Sequence, residues 1–205
     1  MEKEVPRDTI HQIHTNNPLA VFAPQPVGVR FESQQKGEEI ILLLRAHIAT
    51  LSPTVFTIVI FIFFPLIAIE FLGFIKIDIF SVFETRQLLL IALFWYLFTF
   101  GFAFYKFIFW FFNVYIITNE RIIDYDFKGI LHKETAYANL TQIQDVTPKS
   151  IGLFATLFHY GNVFIQTAAE KPEFEFHQVE KPDLVAYEIL EQVRKEEGEP
   201  PGVIA

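Results

Sequence analysis

The sequence predicts a membrane α-helical hairpin joined to a small, acidic α+β domain of antiparallel strands that a C-terminal helix caps. Three observations carry this. Residues 48–69 contain no ionisable side chain, and residues 87–105 carry no charge. Of the 25 phenylalanines of this 205-residue chain, 17 crowd between Phe56 and Phe112. Beyond Phe112 the apolar pattern changes to the period of two expected of half-buried strands. The bulk composition agrees. The chain is 52% hydrophobic and only 20% charged, against about 25% in a soluble domain.

Residues 1–35 read as an exposed arm, because Asn16, Asn17, Pro18, Pro24, Pro26 and Gly28 interrupt every apolar stretch. From residue 36 the pattern changes to Glu38-Glu39-Ile40-Ile41-Leu42-Leu43-Leu44-Arg45. Acidic residues first and a basic one later suit the helix dipole, so a short interfacial helix is expected here. The first span is placed at about residues 51–72; some 20 residues at 1.5 Å each cross a hydrocarbon core of about 30 Å. Pro53 lies near its start, and Pro65 is deep enough to kink it. Glu70 sits at its exit, read as a headgroup-level residue or, alternatively, as a buried functional carboxylate.

The second span is placed at about residues 87–111, with Lys106 snorkelling toward the headgroups and Tyr105 and Trp110 fitting an aromatic belt. Trp95 and Tyr96 are less regular. Two spans put both termini on one side. Lys36, Arg45, Lys106, Arg121 and Lys128 flank that side, and the connecting loop has only Lys76 and Arg86. The small bias predicts cytoplasmic termini. The first eight residues mix both charge signs and lead into no apolar stretch, which argues against a cleaved signal peptide.

Residues 113–197 read as the domain and 198–205 as a tail. Val114–Thr118 and 121–127 flank Asn119-Glu120, a two-residue hairpin turn. Further strands are expected at 130–138, 142–147, 163–167 and 174–178. Residues 152–160 should form a short amphipathic helix, in which Phe154, Leu157, Phe158 and Tyr160 either pack on the sheet or the bilayer or offer a ridge to a partner. Ala186, Ile189, Leu190 and Val193 make one stripe of a closing helix that Pro182 and Asp183 start and Gly198 stops. At about 85 residues the domain is near the lower limit for an autonomous core, so help from elsewhere is expected.

Chemistry finds little support. No cysteine is present, so thiolate nucleophiles, disulfides and Cys-built metal sites are excluded. No nucleophile elbow or phosphate-binding glycine loop occurs. His11 and His14 are spaced i, i+3 but have no third ligand nearby, and His132, His159 and His177 are scattered. We expect no enzyme, no catalytic, metal or cofactor-binding residues and no cofactor. From Asn113 onward, 8 Lys or Arg stand against 15 Asp or Glu, which argues against nucleic acid and anionic lipid headgroups as partners. Arg121 and Asp145 are either a recognition pair or charges that brace the fold.

The residues 115–123, Tyr-Ile-Ile-Thr-Asn-Glu-Arg-Ile-Ile, the Gly129 turn, the segment 139–147 and the run Leu153-Phe-Ala-Thr-Leu-Phe-His-Tyr-Gly-Asn-Val-Phe-Ile-Gln-Thr-Ala resemble the bacterial pleckstrin-homology-like (PH-like) family. More narrowly, they resemble its membrane-anchored branch with two transmembrane helices before the domain. The resemblance implies a roll or partly open barrel of seven antiparallel strands capped by the last helix, one strand more than the six read here. Phosphoinositide binding is not implied, because Asp124, Asp126 and Glu134 dilute Lys128 and Lys133. What it does imply is a membrane-tethered interaction or assembly domain, homo-oligomeric or with a membrane protein partner, tied to envelope maintenance or stress tolerance. The alternatives are a lipid or small-ligand binder and, behind it, an oligomeric transporter or channel subunit, for which Glu70 and Lys106 are the residues to test.

Overall fold

A computed structural model describes residues 17–129, 132–168 and 173–198. His11 and His14, the rest of the arm before residue 17 and the tail after Gly198 lie outside the described residues. So does Ile130, where the pattern places the start of the third strand.

The chain divides into two compact units. One is Ala49–Phe109; the other joins the residues up to Ile48 to those from Trp110 onward. The first is the helical hairpin. A 3₁₀ turn, Ile48–Leu51, leads into α1 (Ser52–Phe74), a short α2 follows at Ile79–Val82, and α3 runs from Thr85 to Phe112. Pro53 lies at the first turn of α1, where its missing N–H costs nothing. Asp78 caps α2, its side chain accepting from the Phe80 N–H at 3.0 Å.

Pro65 has a different consequence. It has no N–H for the carbonyl of Phe61, one turn earlier. The indole Nε1–H of Trp95 on α3 donates to that carbonyl at 2.8 Å, and the Tyr96 hydroxyl donates to Ile62 O at 3.2 Å. Trp95 stacks on Phe64 (4.9 Å) and meets Phe61 edge-on (5.7 Å). The two residues that are less regular for an aromatic belt therefore make polar contacts between the helices.

Among its described residues the second unit contains eight strands: β1 (Phe22–Pro24), β2 (Ile40–Leu44), β3 (Val114–Thr118), β4 (Arg121–Gly129), β5 (His132–Asn139), β6 (Ile143–Lys149), β7 (Tyr160–Thr167) and β8 (Glu173–Glu180). They form two antiparallel sheets, β1-β2-β3-β4-β5 and β6-β7-β8. Two helices complete it, α4 (Leu153–Leu157) and α5 (Pro182–Glu197). The hairpin of helices lies in the connection between β2 and β3, which are adjacent partners with Leu44 opposite Tyr115.

Two expectations are corrected here. The segment 36–47 is not an interfacial helix, and the arm before it is not wholly exposed. Ile40–Leu44 is a strand paired between β1 and β3. Both of its faces are covered, so it is apolar at every position and has no period to read. Leu42 and Leu44 enter the core under α5, while Ile40 and Leu43 join Ala23, Ile116, Ile123 and Tyr125 on the other face. A bulge between Ile40 and Leu42 changes the face.

A third correction concerns the barrel. Neither sheet closes or curls into a roll. After β5 the chain passes through a 3₁₀ turn, Leu140–Gln142, and starts a separate sheet, so β5 and β6 do not pair. At the other end a single bridge, Ala46 to Val179, stands where a closing ladder would be needed. The core fills the space between the sheets and α5. Ile117, Ile122, Leu140, Val163, Ile165, Phe176 and Ile189 are all fully buried in it.

Candidate functional site

The charged residues singled out by the sequence fall into separate places. Arg121, at the start of β4, does not meet Asp145. Its Nε donates to Glu38 Oε1 at 2.9 Å and its Nη2 to Glu38 Oε2 at 3.0 Å, a bidentate pair. A further Nη2 contact reaches Ser33 O at 2.6 Å, and the guanidinium lies 5.2 Å from the Tyr137 ring. Glu38 also accepts from the Gln35 N–H, and the Thr118 hydroxyl lies 3.0 Å from its Oε1. Burial pushes the Glu38 carboxyl up, but the Arg121 hydrogen bonds and these other donors outweigh it and hold it below its ordinary value. Asp145 lies on the other sheet, accepting from the Thr147 hydroxyl at 2.9 Å. Of the two readings, bracing fits Arg121.

Asn119 makes its hairpin turn and ties it to the start of β2. Its Oδ1 accepts from the Glu39 N–H at 2.8 Å, and its own N–H donates to Glu39 O at 3.2 Å.

A cleft of about 390 Å³ is lined by Ala46, Asn113, Tyr115, Asp124, Asp126, Glu173, Phe174, Glu175 and His177. Tyr115 stacks on Phe176 at 4.4 Å, and its hydroxyl oxygen accepts from the His177 N–H at 3.1 Å. Burial raises the Tyr115 phenol well above its ordinary value, and the neighbouring carboxylates push the same way, so it stays neutral. His177 Nδ1 is 3.4 Å from Glu175 Oε1. With four carboxylates in its wall, this cleft is unsuited to an anionic headgroup. Lys133 is occupied elsewhere, 4.9 Å from the Tyr125 ring and 3.9 Å from a Glu32 carboxylate oxygen.

His132, His159 and His177 stand on β5, after α4 and on β8, and all three are exposed. Among the described residues no group of three or more His, Cys, Asp or Glu is arranged to hold a metal. Glu70 and Lys106 are exposed on the helical unit, with Lys106 Nζ 5.8 Å from the Phe102 ring.

The apolar set around α4 is different from the rest of the domain. Helix α4 buries only Ala155. Ile151, Leu153, Phe154, Leu157 and Phe158 are 83%, 81%, 67%, 65% and 47% exposed. They do not pack on the sheet, which leaves the bilayer and a partner as the readings of this ridge. Tyr160 alone turns inward, stacking on His47 at 5.3 Å.

A family model described as "Bacterial PH domain" matches residues 48–193. The chain belongs to this family. Two antiparallel sheets with a C-terminal helix are consistent with a PH-like fold. The bacterial PH domain match includes both long helices but starts after β2, so β1 and β2, two strands of the five-stranded sheet, lie before it. A crystal structure of a DUF1696 family protein with a pleckstrin-homology domain, from Shewanella loihica PV-4, is similar at 18% identity, over 40% of this chain and 68% of that one, with a TM-score of 0.29. No curated protein matches this bacterial PH domain chain.

Sequence reading missed Glu38, His47 and Tyr115 as partners. Glu38 and Arg121 are far apart in the chain, and only the pairing of β2 with β3 brings them together. The one available signal was a glutamate opening a short, wholly apolar run, and it was equally a helix start.

Proposed function

We propose that this chain is a membrane-tethered PH-like interaction or assembly domain without catalytic activity, held in a bacterial inner membrane by α1 and α3. One observation carries the reading. Two helices are long and apolar enough to cross a bilayer, and their apolar windows are unburied, 0% in the first and 6% in the second. A core helix of a water-soluble protein would hide that surface; here the apolar windows of both are left exposed. Family membership supports the binding role of the domain, and the four carboxylates of the cleft argue against an anionic ligand. The lysines and arginines that flank the pair of helices support cytoplasmic termini. The partner is a second copy of this chain or another membrane protein, in a role connected with envelope maintenance or stress tolerance.

Alkaline carbonate extraction tests the tether: the chain should stay with the membrane pellet, and release to the supernatant would overturn the reading. Protease added to inside-out vesicles should digest the domain, and a protected domain would reverse the orientation. Native mass spectrometry in detergent, paired with crosslinking in intact membranes, addresses assembly. A monomer that crosslinks to nothing would sink that part.

A further inference from the structure

The exposed apolar residues around α4 are the largest feature of the domain that the reading above leaves without a role. Residues 150–160 contain no Asp, Glu, Lys or Arg, in a region that is otherwise strongly acidic. Five of their apolar side chains point into solvent. Phe154 stacks on Phe158 at 6.5 Å, and Phe158 lies 6.5 Å from the ring of His47. His47 is fixed in place: its N–H donates to Gln178 O at 2.7 Å, and its ring stacks on Tyr160. It is also the last residue before the first candidate span, which starts at Ile48.

That juxtaposition names an occupant. The headgroup layer on each side of the hydrocarbon is about 5–8 Å deep, and interfacial segments bury their apolar face by about 5–10 Å. Rings that lie 6.5 Å from His47 are therefore within one headgroup depth of the point where the chain enters the bilayer. We propose that Ile151, Leu153, Phe154, Leu157 and Phe158 insert into the boundary between headgroups and acyl chains, as a third membrane contact of the chain. The contact is apolar rather than ionic, because the domain around it is acidic and the segment itself has no Asp, Glu, Lys or Arg. It rests on the membrane-tethered reading, and the test separates the two.

The chain has no cysteine, so single cysteines report cleanly on position. Leu153→Cys, Phe63→Cys in the middle of α1 and Glu196→Cys at the exposed end of α5 are each labelled with an environment-sensitive fluorophore. The full chain is then reconstituted in phosphatidylethanolamine–phosphatidylglycerol vesicles with nitroxide-labelled phosphatidylcholine, and iodide serves as the aqueous quencher. The labels at 63 and 153 should be quenched by the lipid nitroxide and spared by iodide, unchanged by added salt, and the label at 196 should behave in the opposite way. If 63 is lipid-quenched but 153 follows 196, the insertion is overturned and the tether stands. If 153 is shielded from both quenchers, a protein surface covers the ridge, and insertion is again overturned. If 63 is open to iodide, the membrane-tethered reading fails and takes the insertion with it.

Discussion

Glu38 and Arg121 form the part of the domain most sensitive to a single side chain. The carboxylate is buried and the guanidinium nearly so, with side-chain exposures of 0% and 14%. Glu38→Ala leaves Arg121 without its bidentate partner, and a cost of about 3 kcal/mol is expected, at the low end for broken buried pairs because Arg121 keeps some solvent. The pH dependence has a definite sign. Glu38 is held below its ordinary value in the fold, so its contribution is complete above the unfolded value of about 4.3 and is lost as pH falls through the folded value. Thermal melts in detergent across this acid range should lose stability in the parent protein. Glu38→Gln, less stable at neutral pH, should show a shallower slope.

Gly161 offers a second test at this scale. A Cβ there would lie 2.6 Å from Lys149 O and 2.6 Å from Ser150 Oγ, whereas one at Gly129 would meet nothing within 4 Å. Ser150 can turn aside, but a carbonyl of the paired strand cannot. Gly161→Ala should cost about 1–3 kcal/mol, and Gly129→Ala should stay within about 0.5 kcal/mol in the same melts. Asn119 was readable as a turn residue because turn chemistry is local. Glu38 was not readable as a partner of Arg121, because no local pattern links the segment leading into β2 with β4.

Among the elements, the long helices and α5 were the most legible. Length and hydropathy identify α1 and α3, and α5 has a proline start, an apolar stripe and a glycine stop, with Gly198 at φ 75°. β2 was the least legible, since a strand covered on both faces has the same composition as a short buried helix. Its five-residue length was the signal that favoured a strand. The polar contacts within the helical hairpin were equally hidden, because they depend on how α3 faces Pro65. They give a sharp expectation. Trp95→Phe removes the donor to Phe61 O, and Pro65→Ala restores a backbone N–H that can take its place. A double-mutant cycle, measured by unfolding in bicelles, should therefore give a coupling of roughly 0.6–1.7 kcal/mol, with Trp95→Phe costing less in the Pro65→Ala background. A coupling of zero would mean that the indole packs without donating.

For the whole molecule, the decisive feature is that the β domain is not one stretch of sequence. Leu42 and Leu44 are fully buried in the core that β3, β4 and α5 complete. A fragment starting at Asn113 lacks that strand and should fail to fold, as read by the absence of a cooperative melt. Joining Ile48 to Trp110 by a short glycine-rich loop should restore it. The ends to be joined are close, since Trp110 Nε1 donates to Ala46 O at 2.8 Å and Arg45 Nε donates to Phe111 O at 2.9 Å. The support that a domain of this size needs therefore comes from the residues before the helices. Composition could not reveal this, because nothing in the arm marks β2 as belonging to residues far beyond it.

The insertion of the helices between neighbouring strands also fixes an order of events during synthesis. β2 leaves the ribosome first, then roughly seventy residues pass before β3 emerges, a wait of several seconds at roughly 5–20 residues per second. During that interval β2 has an open edge on the side where it was made. On the tethered reading, it gains its neighbour only if both helices have been inserted, since a single crossing would leave β2 and β3 on opposite sides of the bilayer. Completion of the sheet then acts as a checkpoint on insertion: a chain with one helix misplaced exposes an unpaired strand that quality-control proteases can recognise.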